Sequence, residues 1–68
     1  MIERKQLMAA RKKKGMSRSE LARAATMQAG MIAWIETGRF IPYEKQARKI
    51  ADALEWKGEL SELFGEVE

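Results

Sequence analysis

Met16-Ser17-Arg18-Ser19-Glu20-Leu21-Ala22 is the stretch whose reading decides the fold. A serine followed three residues later by glutamate, just before an apolar pair, is a capping box. The Ser17 hydroxyl can accept from the Glu20 amide, and the Glu20 carboxylate can reach back to the Ser17 amide. Met16 before the cap and Leu21 at the fourth helical position have the spacing of a hydrophobic staple. A helix therefore starts immediately after Ser17. Leu21, Ala22 and Ala25 are its inward face, and it should end near Ala25.

Upstream, Leu7, Ala10, Arg11 and Lys14 repeat at i, i+3, i+4 and i+7, which predicts a first helix over residues 3–14. Gly15 follows a cationic last turn and suits the left-handed residue that closes a helix. Downstream, only Thr26, Met27 and Gln28 separate the second helix from a third over residues 29–37, whose inward face is Ile32, Ile35 and Glu36. So short a link makes the two helices meet at a large angle on one side of the core. Gly38 ends the third helix. Pro42 is expected to open a fourth, where a missing N–H costs little, with Ala47, Ile50, Ala51 and Leu54 buried. Trp56 and Gly58 mark a bend. A last helix over residues 59–64 offers Leu60, Leu63 and Phe64 to the core, Gly65 stops it, and the acidic tail at 65–68 is expected to fray. The fold class is all-α, five short helices in a single domain spanning residues 1–68.

Composition narrows the function. Sixty-eight residues, 46% of them hydrophobic and 34% charged, suit one small globular domain rather than a disordered chain. The chain has no Cys and no His. That removes disulfides, thiolate zinc sites, the commonest metal ligand and the usual general base. No catalytic residues, metal site, cofactor or small-molecule substrate are expected. No apolar run approaches the ~18 residues of a membrane span, and residues 1–5 lack the apolar core of a signal peptide. A cytoplasmic protein is the expectation. Charge is unevenly placed. Residues 1–39 hold nine Lys/Arg and three Asp/Glu, a net +6, whereas residues 40–68 hold four and seven, a net −3. A basic half beside an acidic half suggests a polyanion on one side.

The ordered set, more than any single element, resembles the phage-repressor, Cro-like helix-turn-helix family, also called the XRE family. Met16 to Ala22 looks like the opening of its two-helix unit, here residues 17–37. Ile35-Glu36-Thr37-Gly38-Arg39 looks like the stretch that closes the unit. The likeness runs over roughly residues 4 to 64. It implies a lambda-repressor-like DNA-binding domain whose third helix lies in the major groove, with the second helix across the backbone. It also implies that Arg11 pairs with Glu36 as a structural ion pair, since an inward-facing carboxylate needs a partner.

Carried over position by position, the resemblance assigns phosphate contacts to Ser17, Arg18, Arg23, Arg39 and Lys45, and base- or groove-facing places to Gln28, Ala29, Gly30, Met31, Ala33 and Trp34. The groove-facing set departs from the family, which carries hydrogen-bonding side chains there; of that kind only Gln28 is present. Three accounts stay open. Ala29, Met31 and Ala33 could meet thymine methyl groups. Specificity could come from backbone contacts and DNA shape. Or the surface binds a protein through Met27, Met31 and Trp34. Thr26 is a second departure, because the family prefers Gly in that turn and Thr is strained at positive φ; a changed turn and a changed pose of the third helix are the expectation. The function implied is a DNA-binding transcriptional regulator, a repressor that binds an inverted-repeat operator on double-stranded DNA as a homodimer. The alternative is a protein-interaction module on the same fold.

Overall fold

The computed structural model describes residues 3–65. The tail expectation at 66–68 lies outside them. Five helices follow in order: α1 Lys5–Lys13, α2 Arg18–Ala24, α3 Ala29–Glu36, α4 Glu44–Ala53 and α5 Leu60–Phe64. There is no strand among the described residues, and no helix is long and apolar enough to cross a membrane. The architecture is all-α.

α2 begins as its sequence dictates. The Glu20 amide donates to the Ser17 hydroxyl at 3.0 Å, and the Ser17 amide donates to the Glu20 carboxylate at 2.8 Å. Such a cap is worth about 1 kcal/mol. Leu21 and Ala22 are buried beneath it, with Met16 half-buried against the same cluster. α2 packs most extensively on α3; α1 lies against α5 and α3, and α4 against α2 and α5. The shared core is Leu7, Leu21, Ile32, Ile35, Ile50 and Leu63, all essentially inaccessible to water, with Phe64 and the small Ala22, Ala25, Ala47 and Ala51 between them. Small residues let the helix axes approach closely, where larger side chains would collide.

Four helices end in the same way. After α1, the Gly15 amide donates to Lys12 O and the Met16 amide to Arg11 O. After α2, the Thr26 amide donates to Arg23 O and the Met27 amide to Ala22 O. Gly38 and Arg39 repeat the pattern on Ile35 O and Trp34 O, and Glu55 and Trp56 on Asp52 O and Ala51 O. This is the Schellman arrangement, which satisfies carbonyls that a helix end leaves orphaned and needs a left-handed residue in the middle. Gly15 (φ +70°) and Gly38 (φ +81°) adopt that conformation freely; Thr26 (φ +58°) and Glu55 (φ +55°) adopt it at a cost. Thr26 thus stands at positive φ, the strained conformation that its place in the turn implied. Thr26 closes α2 with the same bonds that glycine closes α1 and α3.

Pro42 also differs from expectation. It does not open α4, which starts at Glu44 with Tyr43 as its cap. The Pro42 ring is instead fully buried. Without an N–H, it can fill the core without leaving a donor unpaired. The Tyr43 amide donates to the Gln46 side chain at 2.9 Å, so the fourth helix is capped from its third residue.

One arginine holds the bundle shut. The Arg4 backbone amide donates to Glu36 O at 2.7 Å. Its side chain donates from Nε to Phe64 O at 2.8 Å and from Nη1 to Ile35 O at 2.7 Å and Phe40 O at 3.2 Å. A cation on the last carbonyls of α3 and α5 adds to the bond that Ile35 O already takes from Gly38, satisfies Phe64 O, and complements both dipoles.

Candidate nucleic-acid interface

α3 divides into two faces. Ile32, Ile35 and Glu36 point inward and are fully buried. Gly30, Ala33, Trp34 and Thr37, spaced i, i+3, i+4 and i+7, form the opposite stripe. Trp34 is 51% exposed, and Gly30 is exposed with nothing within 4 Å of where a Cβ would stand. Ala33, Trp34 and Thr37 line one shallow hollow together with Arg39 and Glu3.

The inner end of α3 is an ion cluster. Glu36 has no exposed surface, and its carboxylate accepts from Arg11 Nε at 2.6 Å and Nη2 at 3.3 Å, and from Arg18 Nε at 2.8 Å. Arg11 Nη1 also donates to Met16 O at 3.0 Å. A lone buried carboxylate would be costly, and the charge-assisted bonds offset that cost. The two arginines fasten the C-terminal end of α3 to α1 and to the first turn of α2. Arg11 is buried; the Arg18 side chain is 43% exposed. Arg18 Nε is thus committed to Glu36, while its two Nη groups make no hydrogen bond to the described residues.

The other residues assigned to phosphate lie apart from this cluster. Ser17, Arg23, Arg39 and Lys45 are all exposed. The Ser17 hydroxyl accepts from the Glu20 amide, and its own proton faces the Glu20 carboxylate. Ser17 and Arg23 also surround Glu20. The Ser17 backbone amide first, then the Ser17 hydroxyl, hold the Glu20 carboxyl below the usual carboxylate range, and the Arg23 charge adds to this. Arg39 sits beside Trp34, its backbone amide donating a hydrogen bond to Trp34 O at 2.8 Å. Lys45 lies in the first turn of α4; no contact ties it to the α3 stripe.

The groove-facing assignments separate into two groups. Gln28, Gly30 and Trp34 are exposed, with Gln28 capping α3 through its backbone alone. Ala29, Met31 and Ala33 are only half-exposed, and Ala29 and Met31 pack partly against the core. Met27 is half-buried in the same way, which reduces the apolar patch of the protein-binding alternative to Trp34 and its immediate margin.

Sequence reasoning missed Arg4, because its role depends on two helix ends that are remote in sequence. It also missed the Lys14–Glu55 ion pair between α1 and the end of α4. Lys14 in turn, by hydrogen bond and then by charge, holds the Glu55 carboxyl below its ordinary range. Trp56 is half-buried, and its indole N–H donates to Glu59 O at 3.0 Å, fixing the bend between α4 and α5.

No curated protein and no solved structure matches the chain significantly. The profile of a helix-turn-helix domain family matches residues 5–64, which takes in all five helices. With α2 and α3 joined by a tight turn and the outer stripe of α3 open to solvent, the chain belongs to the helix-turn-helix domain family.

Proposed function

We propose that this protein is a sequence-specific transcriptional regulator that occupies double-stranded DNA with the outer stripe of α3 in the major groove. The observation that carries this reading is that stripe: Gly30, Ala33 and Trp34 stand clear of the core in the second helix of a helix-turn-helix unit. A helix in that place enters the major groove while its partner helix crosses the backbone. Arg18, Arg23, Arg39 and Lys45 are exposed cations suited to phosphate, of which Arg18 and Arg39 lie against α3. The net +6 of residues 1–39 provides the long-range attraction. Repression by occupying an operator, in the cytoplasm and without a cofactor, is the simplest mode for such a domain. A homodimer on an inverted repeat would place its two α3 helices in half-sites about 34 Å apart on one DNA face.

The test is a fluorescence titration of the two tryptophans with random-sequence duplex at about 50 and about 200 mM salt. Six or more phosphate contacts should weaken binding by a factor of about 10³ or more between the two. Substituting Arg39 or Lys45 by Ala should make the log–log salt slope shallower by about 0.9 for each phosphate no longer neutralised. No binding at the lower salt would overturn the reading in favour of a protein partner.

A further inference from the structure

The outer stripe of α3 carries almost nothing that can make a hydrogen bond. The polar side chains of α3 and its cap, residues 28–37, are Gln28, Glu36 and Thr37, together with the Trp34 indole. Glu36 is buried and holds two arginines. The Thr37 hydroxyl donates back along the helix, to Ala33 O at 2.9 Å and Trp34 O at 3.4 Å. What remains is the Gln28 amide at the entrance and the single Trp34 N–H. Between them lie Ala29, Met31 and Ala33, half-exposed methyl and thioether surface, and the open notch at Gly30.

Nothing in the packing around position 30 requires glycine. A Cβ at position 30 would meet no atom, and glycine in the first turn of a helix, here its second residue, costs some part of the about 1 kcal/mol that it costs in a helix interior. Its effect is to let an external surface come closer to the helix backbone than a side chain would allow. In the major groove, one base-edge feature is apolar and projects toward the protein: the C5-methyl of thymine. A shallow apolar surface with a notch fits methyl groups. It offers little to the hydrogen-bond patterns by which guanine and cytosine are read.

From this we infer that the protein distinguishes its site chiefly by pyrimidine C5-methyl groups. Ala33 and the exposed parts of Ala29 and Met31 contact thymine methyls, the bare backbone at Gly30 lets them come close, and the Trp34 N–H supplies one donor to an acceptor on a base edge. The inference rests on the proposed docking of α3 in the major groove and names what that docking reads. It selects among the readouts that an apolar groove helix leaves open.

The experiment begins with selection of a binding site from random duplex. Thymines in the selected site are then replaced one at a time by deoxyuridine, which removes the methyl and keeps every base-pairing atom. Binding is measured with the unaltered full chain, so protein folding does not enter. A buried methyl is worth about 0.8 kcal/mol, so each contacted thymine should weaken binding roughly four-fold when it becomes uridine. Two or more such positions in a half-site support the inference. A selected site that binds equally well with all its thymines replaced overturns the inference and leaves the DNA-binding function standing. A selection that enriches no duplex overturns both.

Discussion

Ile32, Ile35 and Glu36 on the inner side of α3 are fully buried, and the one charge among them is held by two arginines. On the opposite side of the same helix, Gly30 and Trp34 face solvent, and the outer stripe has almost no polar atom to offer. Eight residues thus meet two different demands. On the inner side every polar capacity is satisfied internally, as burial requires. On the outer side only the Thr37 hydroxyl is committed, to its own helix, and the Trp34 indole and the surface around Gly30 are left open, as a contact surface requires. The contrast teaches that stability and recognition are separable on this helix, and that substitutions on its two sides should change different measurements.

The largest effect should come from the inner side. Arg11→Met leaves the buried Glu36 with only the half-exposed Arg18, and breaking a buried pair costs about 3 kcal/mol or more. That is comparable with the few kcal/mol that a core of this size supplies. Circular dichroism at 25 °C should show a largely unfolded chain; an unchanged melting curve would mean that Arg18 alone satisfies Glu36. On the outer side, Gly30→Ala should raise stability in urea by up to about 1 kcal/mol and at the same time weaken duplex binding, because a methyl then stands where the backbone was bare. If stability and affinity rose together, the outer stripe would not be the contact surface. Thr26→Asn changes neither face of α3 but relieves the left-handed strain behind its N-terminus. Asn tolerates that conformation better than a β-branched residue, so a gain of roughly 0.5 kcal/mol in the melting transition is expected, with DNA binding retained.

The smallest effect lies at the entrance to α2. Ser17 lowers the Glu20 pKa in the folded chain, so Glu20 binds its proton less readily folded than unfolded. Its contribution to stability is present above the ordinary carboxylate range and is lost as pH falls through the lowered value. Glu20→Gln should therefore melt lower than the parent at neutral pH, with the gap narrowing below about pH 4. A gap that does not depend on pH would mean that the cap acts by geometry without charge.

Legibility in the sequence followed local chemistry. The Ser17–Glu20 box, the Gly15 and Gly38 stops, and the inward set Leu21, Ile32, Ile35 and Ile50 could be read directly, because each is set by residues within a turn or two. The helix end at Glu55 could not: it uses the same bonds as the glycine ends, but nothing local marks a glutamate as left-handed, and at Thr26 only the family resemblance pointed to a strained residue. The local backbone bonds of the turn outweigh residue preference there. Pro42 was misread for a similar reason, since a proline before a helix suits its first turn as well as a buried plug, and only the packed core distinguishes the two. Of the candidate interface, the composition of the α3 stripe was visible in advance. That Arg18 leans on Glu36, and that Thr37 binds its own helix, depend on side-chain geometry.

Trp34 and Trp56 offer two indole N–H reporters in one chain, the first on the outer stripe of α3 and the second bonded to Glu59 O at the α4–α5 bend. The most direct test of the account is to follow both indole signals by nitrogen-15 NMR while titrating duplex DNA at low salt. The account predicts that the Trp34 signal shifts and saturates with the duplex. A Trp34 signal that stays in place while other residues respond, or a spectrum that does not change at all, would contradict it.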